Sequence, residues 1–387
     1  MAQARGSAAQ VVLDFETVYG ADPQSPDGYS MPFNYPFDLK AVRDLKEGNT
    51  HRGRRDGAMP FYGNSDVKGS VVVPVDQVAI GWWLRSLLGA PVTAPPATKN
   101  LNNAAAVDKV GDYVGITITS HPFVAGETVV IAGSVNYNGT HVITSKTTHE
   151  IVIPSLYTAE TFTGAETCIS GKYTHVFKPA SAVESLVLEA GFTDIHVYHK
   201  FNGIKVNKFA MDISGDGELT AKLDLIGASE EVADASYDAT PTAITFARFQ
   251  TMQASIEEGG VSIATVQSLN FEINNDLDPG SFVLANAVRG ALPEGDCLVS
   301  GSLKALFISK GLYNKAVAGN ESSLQVTFTS GLLSLTFLFQ ELLYTPSTPT
   351  IVKGGCYVEL PFKAYFEDGA ADAIVRAILV NNQVSYA

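Results

Sequence analysis

MDISGDGELTAKLDLIG, Met211–Gly227, decides how this chain is read. Its first half has the outline of a calcium loop. Asp212, Ser214 and Asp216 stand at the first, third and fifth positions, with Gly217 at the sixth. A loop of that kind needs a bidentate Glu at its twelfth position and helices on both sides. The twelfth residue is Leu223, which cannot ligate a cation. The second half alternates: Leu219, Ala221, Leu223 and Leu225 fall on one face, and Thr220, Lys222 and Asp224 on the other. Upstream, Phe209, Met211 and Ile213 alternate with Ala210 and Asp212. Period-two alternation marks a half-buried strand. Two such runs joined by Ser-Gly-Asp-Gly predict a long β-hairpin over 203–227 and no metal site.

Working outward, the chain is mostly strands. Residues 10–19 (QVVLDFETVY) predict a strand. The stretch Pro23–Gly63, rich in Pro, Gly and Asn, reads as a long loop holding HRGRR at 51–55. In an acidic chain HRGRR reads as a solvated loop or a contact to an acidic neighbour before it reads as a DNA contact. Val71, Val72, Val73 and Val75 predict a strand, Asp76 a helix cap, and Val78, Trp82, Leu84, Leu87 and Leu88 a helix closed by Gly89, with Trp82 and Trp83 as core or interface anchors. Residues 90–111 read as a linker, 112–169 as a self-contained all-β segment, and 228–246 as an acidic linker. Strand-like segments resume at 253–273, 297–307, 322–343, 356–366 and 374–380.

The segments echo one another: 10–23 resembles 266–279, and KGSVVVPVDQVAIGWWLRSLLG (68–89) resembles SGSLKALFISKGLYNKAVAG (300–319). That rhythm predicts two copies of one sheet-plus-helix fold in tandem. The expected organisation is a discontinuous first module (1–99 and 171–230), an inserted β module (107–170), a linker region (231–252) and a second module (253–387).

Chemistry is hard to find. The 387 residues carry a formal charge of −14 and only 17% charged side chains against 45% hydrophobic ones. A charged fraction below the usual quarter predicts extensive surface buried against other copies. The negative charge argues against general capture of nucleic acid, while an acidic wall that repels DNA stays open. Cys168, Cys297 and Cys356 lie far apart, outside any zinc or disulfide spacing. Gly164 to Lys172 misses the phosphate-loop spacing, and neither GxSxG nor HExxH occurs. His196 and His199 would fall on opposite faces of a strand. Glu230 and Glu231 sit in an acidic, solvated run. The expectation is no enzyme, no cofactor and no metal. MAQARGSAAQ lacks a signal-peptide core, and Leu332–Tyr344 is too short to span a bilayer as a helix, so a soluble protein made in the cytoplasm is expected.

Taken in order, QVVLDFETVYG (10–20), LRSLLG (84–89), YTHVFKP (173–179), ESLVLEAGF (184–192) and GIKVNKFAMDISGDGELTAKLDLIGASE (203–230) resemble the tail tube proteins of tailed bacteriophages. GETVVIAGSVNYNGTHVI (126–143) resembles small β modules appended to phage tail proteins, which a minimal tube protein lacks. The resemblance implies a mainly β fold of tandem tail-tube-like sandwich or barrel modules. It implies a structural subunit of a long, non-contractile, siphovirus-type tail, whose rings stack into a β-barrel lumen that conducts DNA into the host. It implies partners as well: other copies, the tape measure, tail terminator and distal tail proteins, and viral DNA passing without specific binding. The site would be the virion tail, assembled in the host cytoplasm. The wall hairpin would present Lys205, Lys208, Asp212, Asp216, Glu218, Lys222 and Asp224, of net charge −1. Arg52, Arg54 and Arg55 would lie in a loop reaching the next ring. With the echo, three chains would make a pseudo-sixfold ring, a true hexamer being the alternative. The insert would point outward and touch the host surface. A tail-associated adhesin or carbohydrate-binding protein acting through that insert, with Tyr137, Tyr157 and His141 exposed, is the alternative function.

Overall fold

The computed structural model describes residues 3–51, 53–215, 217–283, 287–349, 351–367 and 372–386. The chain divides into two compact units. One comprises Met1–Pro91, Phe177–Phe328 and Thr336–Ala377, and the other Val92–Val176, Thr329–Leu335 and Ile378–Ala387.

In the first unit the 211–227 stretch lies in a hairpin of strands Val197–Ser214 and Thr220–Gly227. Leu219, Ala221, Leu223 and Leu225 are buried, as are Phe209, Met211 and Ile213, so alternation gives the hairpin one apolar and one polar face. Antiparallel pairing extends it in both directions. Thr220–Gly227 pairs with Phe61–Pro74, which pairs with Asn34–Lys46. Val197–Ser214 pairs through its second half with Val266–Asn274, and beyond that strand come Leu298–Leu306, Tyr357–Ala364 and the end of Leu333–Tyr344. Eight strands thus form one open run. Among the described residues no barrel is closed.

The first half of Val197–Ser214 serves another ladder. It pairs with Leu186–Phe192, itself paired with Ala9–Phe15, and with Ser229–Ala233. The apolar side of the eight-stranded run carries interlocked rings: Phe271 lies 4.9 Å from Phe337 and 5.2 Å from Phe339, and Phe339 lies 5.9 Å from Phe362. Each such ring stabilises by roughly 1.5–3 kcal/mol when fully buried.

The helix Ala79–Leu88 forms where Asp76, fully buried, accepts hydrogen bonds from the amides of Val78, Ala79 and Ile80. Those are amides that the helix itself leaves without partners. Trp82 and Trp83 are buried, as expected, and Trp82 stacks 4.1 Å from Tyr29. A second helix, Gly311–Ala318, comes after Leu298–Leu306.

Several expectations need correction. The stretch 23–63 is not one long loop, because Asn34–Lys46 is a strand and only 47–60 forms the tip of its hairpin. The linker expected at 228–246 contributes Ser229–Ala233 and Thr242–Ala243 to pairing, and 90–111 contributes three short strands. The echo also shifts. Val266–Asn274 stands beside Leu298–Leu306 as Asn34–Lys46 stands beside Phe61–Pro74, so 266–279 corresponds in position to 34–46 and not to 10–23.

The second unit contains two four-stranded antiparallel sheets. One runs Gly139–Val142, Thr128–Ala132, Thr167–Ser170 and Thr98–Asn100; the other runs Ser145–Lys146, Glu150–Pro154, Tyr113–Thr117 and Val107–Lys109. Val114, Ile116, Val129, Ile131, Ile151, Ile153, Phe123 and Phe162 form its core, with Cys168, whose thiol burial pushes up to about 12. Here the C-terminal residues are anchored on His175. Its Nε2–H donates to the Gln383 carbonyl at 2.9 Å, so its Nδ1 accepts from the Thr93 hydroxyl at 2.8 Å. Tyr386 packs edge-on, 4.8 Å away.

Two outcomes are expected. Gly69 and Gly301 occupy matching positions, and a Cβ on either would meet a backbone oxygen, that of Asp38 at 1.7 Å or of Asn270 at 2.2 Å. Gly69→Ala and Gly301→Ala should each cost about 1–3 kcal/mol or more by denaturant unfolding. Gly215→Ala, with nothing within 4 Å, should stay within about 0.5 kcal/mol. Burial lowers the His175 pKa below its ordinary value, so the folded unit holds the neutral ring. The unfolded chain then binds more protons once pH falls below about 6.5, and stability falls by at most about 1.4 kcal/mol per pH unit until pH has passed below the lowered folded pKa. Protection factors at 381–386, taken against the intrinsic exchange rate at each pH, should therefore fall on acidification, and His175→Gln should remove that dependence.

Candidate functional site: the polar face of the eight-stranded sheet

Alternation places the residues opposite the core on one continuous face. Its charged groups are Lys40, Lys46, Lys68, Lys208, Lys222, Lys304 and Lys363 against Asp38, Asp44, Asp66, Asp212, Asp224, Glu272 and Glu359. Among the described residues of these paired segments the face is formally neutral. The hairpin's own share of this face, Lys208 and Lys222 against Asp212 and Asp224, already balances; the −1 of the whole hairpin comes from Lys205, Asp216 and Glu218.

Most of these charges have an opposite neighbour. Lys208 Nζ lies 2.9 Å from Glu272 Oε1, across the pairing of Val197–Ser214 with Val266–Asn274. Lys40 reaches Asp38 at 3.0 Å, Lys68 reaches Asp66 at 2.6 Å, and Lys222 lies 3.8 Å from Asp224. Lys304 stands directly opposite Glu359 in the ladder. The hydrogen bond from Lys208 to Glu272 holds the ammonium above its ordinary pKa. Burial raises the Asp66 carboxyl, but hydrogen bonds from Lys68 and Arg289 outweigh it and leave the pKa below the usual value. Asp212, Lys222, Glu272 and Lys363 border a groove of about 620 Å³ on this face.

Of the expected wall residues, Lys208, Asp212, Lys222 and Asp224 fall on this face. Lys205 does not join the exposed set. It precedes a bulge between Val206 and Lys208, and is covered by the chain after Asn274, with its Nζ 2.6 Å from Glu294 and donating to the Leu292 carbonyl. Glu218 lies at the end of the hairpin, where it pairs with Arg248 at 2.9 Å and accepts from Asn34. Asp216 and Arg52 lie outside the described residues. Arg54 and Arg55 are exposed at the tip of the 34–74 hairpin, Arg54 paired with Asp56 at 2.6 Å. The same arm exposes Leu45, Phe61 and Tyr62, each more than half accessible.

Sequence reasoning missed Lys40, Lys68, Lys304 and Lys363, and the carboxylates Asp38, Asp66, Glu272 and Glu359 on the same face. Alternation in SLNFEIN (268–274) and YVELPFK (357–363) carries the signal for those strands. Tyr137, expected exposed, is 1% accessible and donates from its hydroxyl to the Thr158 carbonyl, so it belongs to the core of the second unit. Glu230 and Glu231 pair with His199 and Lys200, each at 2.8 Å. Among the described residues no cluster of three His, Cys, Asp or Glu can hold a metal, and no helix is long and apolar enough to cross a membrane.

The two faces predict opposite tolerance. Glu272→Ala or Lys208→Ala removes half of a partly exposed pair, worth roughly 0–1 kcal/mol. Leu223→Ala, on the buried face, should cost about 2–5 kcal/mol. Urea denaturation of the three variants checks the order.

No curated protein matches this chain. A family model described as phage tail tube protein matches residues 6–364, nearly its whole length. An open, continuous antiparallel sheet with one apolar and one polar face accords with that match, and the chain belongs to the phage tail tube protein family.

Proposed function

We propose that this chain is the repeating structural subunit of a long, non-contractile tail, and that its copies close edge to edge into rings that stack into a DNA-conducting tube. The observation that carries this reading is a strand order used twice. Asn34–Lys46, Phe61–Pro74, Thr220–Gly227 and Val197–Ser214 are paired in that order. Val266–Asn274, Leu298–Leu306, Tyr357–Ala364 and Leu333–Tyr344 repeat it. In each set a helix comes after the second strand, and a glycine marks the same close approach. The chain therefore reads as two tube modules in tandem, with the second unit's β module inserted into the first.

Inside the chain, the last strand of one set pairs with the first strand of the other, Phe209 opposite Ile273. The same junction between chains would join the end of Leu333–Tyr344 in one copy to Asn34–Lys46 in the next. Three chains then supply six four-stranded units, which favours a trimeric, pseudo-sixfold ring over a hexamer. A closed ring removes both edges, which otherwise remain templates for uncontrolled pairing. The polar face lines the lumen, and the arm at 47–60, with Arg54 and Arg55, reaches the adjacent ring. The tape measure, tail terminator and distal tail proteins are the expected partners, with assembly in the host cytoplasm.

Negative-stain microscopy of the purified chain over a concentration series, with native mass of any discrete ring, tests this reading. Stacked hollow rings with a mass of three chains are expected. A six-chain ring would overturn the tandem argument, and compact monomers at every concentration would contradict self-closure.

A further inference from the structure

We infer that the polar face is a self-neutralised wall, in which lysines are held by carboxylates of the same sheet so that duplex phosphates find no free row of cations. The inference rests on the proposal that this face lines the lumen, and it differs from a wall that repels DNA by excess negative charge. The chain carries −14 overall, yet this face balances, so the acidic excess lies elsewhere. All seven cations that its strands expose on it are lysines; the one arginine that reaches it, Arg289, is buried against Asp66. Arginine would grip phosphate with a two-pronged fork, whereas lysine offers a compact charge that a single carboxylate can occupy.

Three pairs show how the neutralisation is built. Lys68 and Asp66 are two residues apart on one strand and meet at 2.6 Å. Lys208 and Glu272 meet at 2.9 Å across the junction of the two strand sets. Lys40 and Asp38, two residues apart on the strand Asn34–Lys46, meet at 3.0 Å. A phosphate can take such a lysine only by displacing the carboxylate and leaving that anion beside the DNA. Binding by counterion release, the main source of non-specific affinity, therefore has little to draw on. A duplex would slide past with neither strong attraction nor strong repulsion.

The test uses the full-length chain, whose face is open before assembly, and a labelled short DNA duplex followed by fluorescence anisotropy. The unaltered chain should show no salt-dependent binding. Asp38→Asn, Asp66→Asn and Glu272→Gln together free three lysines, Lys40, Lys68 and Lys208. That variant should bind with a salt dependence near three released counterions, losing roughly 40-fold in affinity between about 50 and 200 mM salt. A control with the same change in net charge, Asp108→Asn, Asp112→Asn and Glu257→Gln, lies off this face and should bind at least about tenfold more weakly at low salt. Equal binding by variant and control, or salt-dependent binding by the unaltered chain, overturns the inference. Microscopy of the same preparations separates the two claims. Absence of tubes with the DNA pattern intact would remove the lumen reading alone, and tubes with the pattern absent would remove the neutral wall alone.

Discussion

The strand Val197–Ser214 is long enough to serve two ladders, and the rest of the first unit depends on where its second half pairs. Residues 208–214 meet 268–274 in unbroken register, from Lys208 opposite Asn274 to Ser214 opposite Ser268. Because side chains alternate, that register puts Phe209, Met211 and Ile213 on the same side as Leu269, Phe271 and Ile273. A slip of one residue would turn the whole apolar set toward solvent. The pairing therefore welds two four-stranded runs into one sheet and decides which side of it is polar.

That weld also brings charges of the two sets together on the polar side. The Lys208–Glu272 pair exists only because the junction brings those two strands together. Within its own hairpin Lys208 also stands opposite Asp224, whose charge favours the same ammonium. On the apolar side, the Phe209, Phe271 and Phe337 rings meet across the same junction, at 5.7 Å between Phe209 and Phe337. One ladder thus supplies both the seam of the core and an ion pair on the exposed face.

Much of this was legible in the sequence where one face is buried. Leu219 to Leu225, Phe209 to Ile213 and Asp76 with the helix behind it all announce themselves, because burial forces a period or a cap. Asn34–Lys46 does not, since Leu39 is its one well-buried side chain and the remaining residues give no apolar rhythm. Ser229–Ala233 is acidic because its carboxylates answer His199 and Lys200 on the neighbouring strand, a partnership that no linear reading contains. Lys205 was misplaced because a bulge and a covering segment, both products of tertiary structure, take it out of the exposed row. The balance of the face was hidden for the same reason: a hairpin read alone counts Lys205 and Glu218, which tertiary contacts take off the face, with the residues that stay on it.

The central claim is that the run of eight strands has edges that copies of the chain satisfy for one another. Amide hydrogen exchange, compared between the free chain and the assembled material, addresses it most directly. Amides of Asn34–Lys46 on the edge should exchange rapidly in the free chain and become strongly protected on assembly, while those of Val266–Asn274, already paired on both sides, should be protected in both. Unchanged exchange along 34–46 in assembled material would contradict closure through this edge.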